Sequence, residues 1–97
     1  MQREQVLRLL TQNRPVFEQR FGVRVLGVFG SVARNEATPE SDIDIFVEFD
    51  GSTTLLRFFG LKCALEELFE CTVDLATPRM LKPAIRDSIR NEIVYAT

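Results

Sequence analysis

Residues 30–47 read GSVARNEATPESDIDIFV, and this stretch says most about the fold of the 97-residue chain. A strand-like segment, VRVLGVF, comes directly before it, so Gly30 and Ser31 are predicted to form a turn between two strands. Because strand side chains alternate between faces, Asp42 and Asp44 share one face and the isoleucines beside them take the other. The apolar face belongs to the core, and the acidic face calls for a functional explanation.

The composition predicts one small domain spanning residues 1–97. Its 45% hydrophobic content supplies a single core, and the chain is too short for separate substrate and catalytic lobes. A net charge of -2 gives no basic field for a nucleic-acid backbone, so we expect no direct nucleic-acid binding. No apolar run approaches the length of a bilayer span, and the sequence predicts a cytoplasmic protein without a membrane segment.

The chain contains no histidine, which excludes Ser-His and Cys-His catalysis and argues against most zinc sites. The two cysteines, Cys63 and Cys71, match no zinc or redox spacing. There is no GxxxxGK[ST] phosphate loop, and Gly30-Ser31 is not part of a GxSxG nucleophile elbow. Ser31 is therefore predicted to bind a ligand and not to act as a nucleophile.

The rest of the sequence predicts an α/β fold, with a small mixed sheet of three or four strands and flanking helices. Strands are predicted over residues 23–29, 42–49 and 72–76. Helices are predicted from the N-terminus to near Asn13, from Pro15 to Gly22, over 30–34, from a cap at Thr53 or Thr54, and from Ala84 to about Ile93. In the long helix, a 3.6-residue period predicts a core face of Leu55, Phe58, Leu61, Leu65, Leu68 and Phe69.

A third acidic residue, Asp74, lies in the short strand-like segment TVDLA. If its carboxylate and those of Asp42 and Asp44 were about 5 Å apart, each pair would repel by roughly 3 kcal/mol at an effective dielectric near 20. Three such pairs would rival the ~5–15 kcal/mol stability of a small domain. The acids are therefore either dispersed or neutralised by protons or cations. Mg²⁺ suits the second case, since it binds one or two carboxylates together with substrate phosphates.

The Gly30-Ser31 turn would supply the phosphate site, because glycine permits close backbone approach and the serine hydroxyl and nearby amides can donate hydrogen bonds. A triphosphate bridging the turn and the metals fits nucleotidyl transfer, with Asp74 as a metal ligand or as the acceptor of the nucleophile's proton. Each motif alone is more typical of ordinary structure, an Asp-x-Asp strand of a solvated edge and Gly-Ser of a turn. Their combination is what indicates a site.

Residues 30–47 resemble the signature of the minimal nucleotidyltransferases in the DNA polymerase β-like superfamily, in which Gly-Ser is followed by Asp-x-Asp. The version with Arg34 and Ser41 is similar to the MNT-type antitoxins that are paired with HEPN-domain toxins. Residues 73–75 resemble the family's third-carboxylate strand, and residues 81–95 resemble its C-terminal helix. The resemblance therefore covers most of the chain.

This resemblance implies a polymerase β-like fold, two Mg²⁺ ions, ATP as donor, and transfer of AMP to a tyrosine of the cognate HEPN toxin in a hetero-oligomer. The implied metal-binding and catalytic residues are Asp42, Asp44 and Asp74, and the implied nucleotide-binding residues are Gly30, Ser31, Arg34 and Ser41. For Arg34, contact with phosphate and a surface ion pair with Glu36 or Glu40 remain open alternatives.

Asn35 stands where family members commonly have glycine. If the backbone there has a positive φ, asparagine is the best replacement, so the fold is expected to survive. This departure leaves open a second function, an inactive antitoxin that neutralises its toxin by binding and masking it. A third alternative is a small-molecule nucleotidyltransferase of the kind that modifies aminoglycosides. Such enzymes generally need an additional substrate lobe, and this sequence encodes none.

Overall fold

The structure is a computed structural model that describes residues 2–96. Its elements are α1 Arg3–Phe21, β1 Val23–Phe29, α2 Gly30–Ala33, β2 Ile43–Phe49, α3 Leu55–Phe69, β3 Val73–Ala76, a 3-10 turn Pro78–Met80, α4 Pro83–Arg90 and β4 Val94–Tyr95. The strands form one mixed sheet in the order β3-β2-β1-β4. β1 pairs antiparallel with β2 and β4, and β2 pairs parallel with β3. The predicted α/β fold, a mixed sheet with flanking helices, is confirmed.

The main core lies between one face of the sheet and the helices α1 and α3. The alternation predicted for β2 holds, since Ile43, Ile45 and Val47 are buried in this core. Fully buried side chains that meet them are Val6 and Leu10 of α1, Leu26 and Val28 of β1, and Leu61 and Leu65 of α3. Each contributes roughly 1.5–3 kcal/mol relative to an exposed position. This packing fixes β2, and with it the opposite, acidic face.

The N-terminal region is one helix, α1, with Pro15 in its interior, so the predicted break into two helices is wrong. Val6, before the proline, and Phe17, after it, are both buried in the same core. The two halves of α1 therefore share one apolar face. The Arg14 guanidinium also donates to two backbone carbonyls outside the helix, at 2.7 and 2.5 Å. These tertiary contacts offset the cost of about 3 kcal/mol or more that an interior proline imposes.

Thr54 caps α3, accepting a hydrogen bond from the backbone N–H of Arg57 at 3.1 Å, which settles the choice between the two threonines. The predicted core face is confirmed at Leu61 and Leu65, but Leu55 is 78% exposed. Leu55, in the first turn of α3, borders a surface groove together with Met80. No helix within residues 2–96 combines the length and apolarity needed to cross a bilayer.

The C-terminal segment differs most from prediction, because α4 ends at Arg90 and is followed by an unpredicted strand, β4. β4 pairs with β1 at Gly27 and Val28. A Cβ on Gly27 would come within 2.9 Å of the Val94 carbonyl oxygen, so the glycine admits this close pairing. A two-residue strand is too short to produce a period in the sequence. It nevertheless anchors the segment that precedes it against the sheet.

Candidate active site

The parallel register of β2 and β3 places Asp44 directly opposite Asp74. The negative charge of Asp74 acts on Asp44 across this register. Asp42 comes just before β2, two residues from Asp44, and is exposed, as is Asp74, whereas Asp44 is partly buried. The structure therefore places Asp44 beside Asp74, with Asp42 two residues before Asp44 in the chain.

Burial raises the pKa of Asp44 to about 6, and the negative charges of Asp74 and Asp42 act in the same direction. Arg34 opposes them by favouring the ionised form. At neutral pH Asp44 is therefore mostly ionised in surroundings that disfavour its charge. A proton or a cation at this position would relieve the repulsion.

The stability of the metal-free protein should therefore depend on pH through Asp44. An aspartate in the unfolded chain has a pKa of about 3.9, well below the pKa of Asp44 in the folded protein. The native state therefore binds this proton more tightly. Stability is then highest below the unfolded pKa, falls as the pH rises through about 6, and is level above it. Allowing for partial exposure, we expect a loss of about 1–2 kcal/mol.

Urea denaturation in EDTA at pH values between about 4.5 and 7.5 would measure this dependence, with Asp44→Asn as the control. The free energy of unfolding of the wild type should decrease as the pH rises. That of Asp44→Asn should decrease less, because the variant lacks the titration of this one carboxyl group. Parallel profiles for the two proteins would contradict the assignment.

The Gly-Ser turn lies against this acidic cluster. Gly30 begins α2 with a φ of 69°, a left-handed conformation that favours glycine. Phe29 pairs with Asp44 in the β1–β2 register, and a Cβ on Gly30 would overlap Oδ2 of Asp44. Glycine at position 30 is therefore required both by the backbone and by the carboxylate. Ser31 follows within the same turn, partly buried.

Arg34, at the C-terminal end of α2, forms two ion pairs. Its Nε donates to Glu36 at 3.0 Å, and its Nη1 donates to the two carboxylate oxygens of Glu92 at 3.2 and 3.3 Å. Of the two predicted partners, Glu36 forms the surface ion pair with Arg34, and Glu40 is not among the residues that these hydrogen bonds join. The hydrogen bond with Glu36 and the neighbouring charges raise the pKa of Arg34 above its ordinary value.

Glu92 is the site residue that the sequence did not reveal. Besides Arg34, it accepts a hydrogen bond from the backbone N–H of Gly30 at 2.7 Å. It lies 62 residues from Gly30 in the chain. No local motif could have connected the two, since their contact depends on how α4 and β4 pack against the sheet.

Two predicted residues have local roles in the structure. The Ser41 hydroxyl accepts a hydrogen bond from the Thr38 backbone N–H at 2.9 Å, within the loop before β2. Asn35 has a φ of 60°, as expected for a position that commonly carries glycine. The loop is therefore preserved despite the departure from the family pattern.

Within residues 2–96, no three His, Cys, Asp or Glu side chains form a ready-made metal-binding group. The donor chemistry at Asp42, Asp44 and Asp74 still fits Mg²⁺, which prefers carboxylate oxygens and takes the rest of its ligands from water and substrate phosphates. Burial is the main cause of the raised pKa of Asp44, and the charges of Asp74 and Asp42 add to it, so a divalent cation at this position would stabilise the ionised form.

The sequence profile of a family described as "Nucleotidyltransferase domain" matches residues 10–96. The chain belongs to this family. The match includes the Gly-Ser turn, β2 and β3, so the resemblance predicted from residues 30–47 is confirmed. The chain is accordingly a nucleotidyltransferase.

A protein adenylyltransferase MntA from Thermococcus cleftensis is 41% identical over 92 residues, which cover 95% of this chain and 93% of that protein. Among solved structures, one assigned as a minimal nucleotidyltransferase superposes with a TM-score of 0.82 and 38% identity, covering 97% of this chain and 95% of the other. These two similarities extend over nearly the whole length of each protein. They support a minimal nucleotidyltransferase in both sequence and fold.

Two toxin-antitoxin complexes share the fold at lower identity. A complex with AMP-PNP matches with a TM-score of 0.70 and 20% identity, over 100% of this chain and 73% of the other. A tri-AMPylated HEPN toxin from Shewanella oneidensis in complex with its MNT antitoxin matches with a TM-score of 0.66 and 16% identity, over 94% and 71% of the two chains.

Proposed function

We propose that this nucleotidyltransferase is the antitoxin of a HEPN/MNT pair and transfers AMP from ATP to a tyrosine of its cognate HEPN toxin in the cytoplasm. One observation carries the proposal, which is the placement of Asp44 opposite Asp74 and against the Gly30 turn. That placement supports the proposal because carboxylate oxygens, which suit Mg²⁺, lie beside a glycine turn, which suits phosphate. The similarity to a protein adenylyltransferase and to toxin-antitoxin complexes supports the choice of substrate and partner.

In this proposal, Gly30, Ser31 and Arg34 hold the triphosphate of ATP, and Asp42 and Asp44 hold two Mg²⁺ ions. When bound, Mg²⁺ would neutralise charge on the triphosphate and help to activate the attacking oxygen. The protein's own contribution is positioning, because the turn and the carboxylates are fixed by β1 and β2, which pack on the core. Ser41 supports this arrangement indirectly, by stabilising the loop that leads into β2.

Transfer forms a bond between the phenolic oxygen of the acceptor tyrosine and the α-phosphorus of ATP. The bond between that phosphorus and the bridging oxygen breaks, and pyrophosphate leaves with the electron pair. The phenolic proton goes to a carboxylate, and we assign this role to Asp74, which is exposed and is not one of the two proposed metal ligands. Asp44 is partly buried and so less accessible to an incoming side chain.

The small size of the domain is a reason to propose a protein as the substrate. Within residues 2–96 the strands and helices form one compact unit with a radius of gyration of 12.4 Å, and they leave no separate lobe to hold an acceptor. A folded partner can present its tyrosine in a fixed orientation, which provides the positioning that the domain itself lacks. The protein would therefore act within a hetero-oligomer.

Mass spectrometry after incubation with the partner toxin, ATP and Mg²⁺ tests the proposal. We expect the toxin to gain the mass of at least one AMP, located on a tyrosine-containing peptide, and a Tyr→Phe toxin should gain none at that position. A tight complex without any mass gain would favour the alternative in which the antitoxin only masks its toxin.

Ser31→Ala should weaken nucleotide binding, because the hydroxyl donates to phosphate. We expect a loss of about 1.5 kcal/mol, or roughly a tenfold increase in Kd, for one hydrogen bond to a charged group. Calorimetry with Mg²⁺ and AMP-PNP would measure it. Ser52→Ala, exposed beyond the far end of β2, is the matched control and should bind like the wild type. An unchanged Kd for Ser31→Ala would exclude the proposed contact.

A further inference from the structure

A single carboxylate, that of Glu92, contacts both ends of the four-residue helix α2. At the beginning of α2, the Gly30 N–H donates to Oε1 at 2.7 Å. At its end, Arg34 is the capping residue, and its Nη1 donates to Oε1 and Oε2 at 3.2 and 3.3 Å. Glu92 therefore links the first amide of the phosphate-binding turn to the side chain of the motif arginine.

The helix α2 needs such support because four residues cannot stabilise a helix by themselves, and their first amides have no partner within the helix. Glu92 can provide it because its own backbone is fixed. The N–H groups of Glu92 and Ile93 donate to the carbonyl of Ile89 at 2.8 and 2.9 Å, and Ile89 is buried. The next two residues form β4 against β1.

We infer that Glu92 is a positioning residue for the nucleotide site, which holds the Gly-Ser turn and Arg34 in the arrangement that binds triphosphate. This inference rests on the proposed function. Arginine has five N–H donors, and the ion pairs with Glu36 and Glu92 use those on Nε and Nη1. The Nη2 group can then reach a phosphate oxygen while Glu92 keeps its contacts with Gly30 and Arg34.

The opposite role is that of a competitor, since a carboxylate at the Gly30 amide would compete with an incoming phosphate. The two roles predict changes of opposite sign when Glu92 is removed. A positioning residue strengthens nucleotide binding, so its loss weakens binding. A competitor reduces nucleotide binding, so its loss would tighten it.

Calorimetric titration of the full chain with AMP-PNP and Mg²⁺ distinguishes the two roles. For Glu92→Ala we expect roughly tenfold weaker binding, the loss typical of one charge-assisted hydrogen bond. For Glu92→Gln we expect about threefold, since the amide oxygen still accepts from Gly30 but the charge that holds Arg34 is gone. With the partner toxin, the KM for ATP should rise in both variants with little change in kcat.

Glu36→Ala is the matched control, because it removes the other carboxylate on Arg34 and leaves the Gly30 contact intact. Exposed ion pairs contribute little, so we expect a change of less than about twofold. Thermal unfolding of each variant checks that it is folded, and the Glu92→Gln variant carries the test if Glu92→Ala does not fold.

Unchanged or tighter nucleotide binding by the folded Glu92 variants would overturn the inference, and so would a loss no larger than that of Glu36→Ala. Wild-type protein that binds no AMP-PNP would instead overturn the proposed function, and the inference with it. The two failures are therefore distinguishable in the same set of titrations.

Discussion

Asp44→Asn should abolish AMP transfer and at the same time stabilise the metal-free protein. We expect transfer to fall by at least roughly 100- to 1,000-fold, because a carboxylate that helps to neutralise the reacting phosphates is lost. Stability should rise by about 1–2 kcal/mol at pH 7, since burial and two neighbouring carboxylates disfavour the ionised side chain. A loss of activity together with a gain in stability is characteristic of a site that stores electrostatic strain.

Transfer to the partner toxin and urea denaturation in EDTA measure the two effects. Asp50→Asn is the matched control, because Asp50 is exposed just after the other end of β2. That substitution should leave both transfer and stability close to the wild-type values. If Asp44→Asn instead unfolded the domain, Asp44 would be a structural residue, and retained transfer would exclude it from the site.

Gly30→Ala should have the largest effect on the fold of the site. The left-handed backbone costs about 1–2 kcal/mol for a non-glycine residue, and overpacking in a tight environment typically costs about 1–3 kcal/mol more. The added Cβ would overlap Oδ2 of Asp44, so this carboxylate must move for the chain to fold at all. We therefore expect a destabilisation of roughly 2–5 kcal/mol and a complete loss of transfer.

Gly51→Ala separates the cost of the left-handed backbone from the cost of the overlap with Asp44. Gly51 has a φ of 77°, close to that of Gly30, but a Cβ there would have no neighbour within 4 Å. It should therefore show only the backbone cost of about 1–2 kcal/mol and keep its activity. In an Asp44→Ala background, the cost of Gly30→Ala should fall to a similar value because the overlapping atoms are gone. Equal costs for the two glycines in the wild type would show that Asp44 is not held against the turn.

The sequence predicted the parts of the site that depend on local patterns. Alternation along β2 placed Asp42 and Asp44 away from the core, and the apolar pattern around Asp74 marked a short strand. Because Asp44 and Asp74 both lie at the beginning of strands that pair in parallel, the fold brings them side by side. The glycine turn was recognisable for the same reason, since glycine and serine adjoin the end of β1.

The features that the sequence did not predict depend on contacts between distant segments. Pro15 remains inside α1 because buried residues on both sides of it pack on one sheet. The strand β4 has only two residues and exists through its pairing with β1. Glu92 reaches Gly30 only after that pairing is made. Local propensity is a weak guide in each of these cases, because tertiary packing decides the outcome.

Calorimetric titration of Mg²⁺ into the protein with bound AMP-PNP tests most directly whether Asp42 and Asp44 hold Mg²⁺ beside a phosphate. We expect the wild type and Asp50→Asn to take up Mg²⁺ and Asp44→Asn to lose most of that uptake. Absence of Mg²⁺ uptake by the wild type with nucleotide bound would contradict the proposed site, and so would equal uptake by Asp44→Asn.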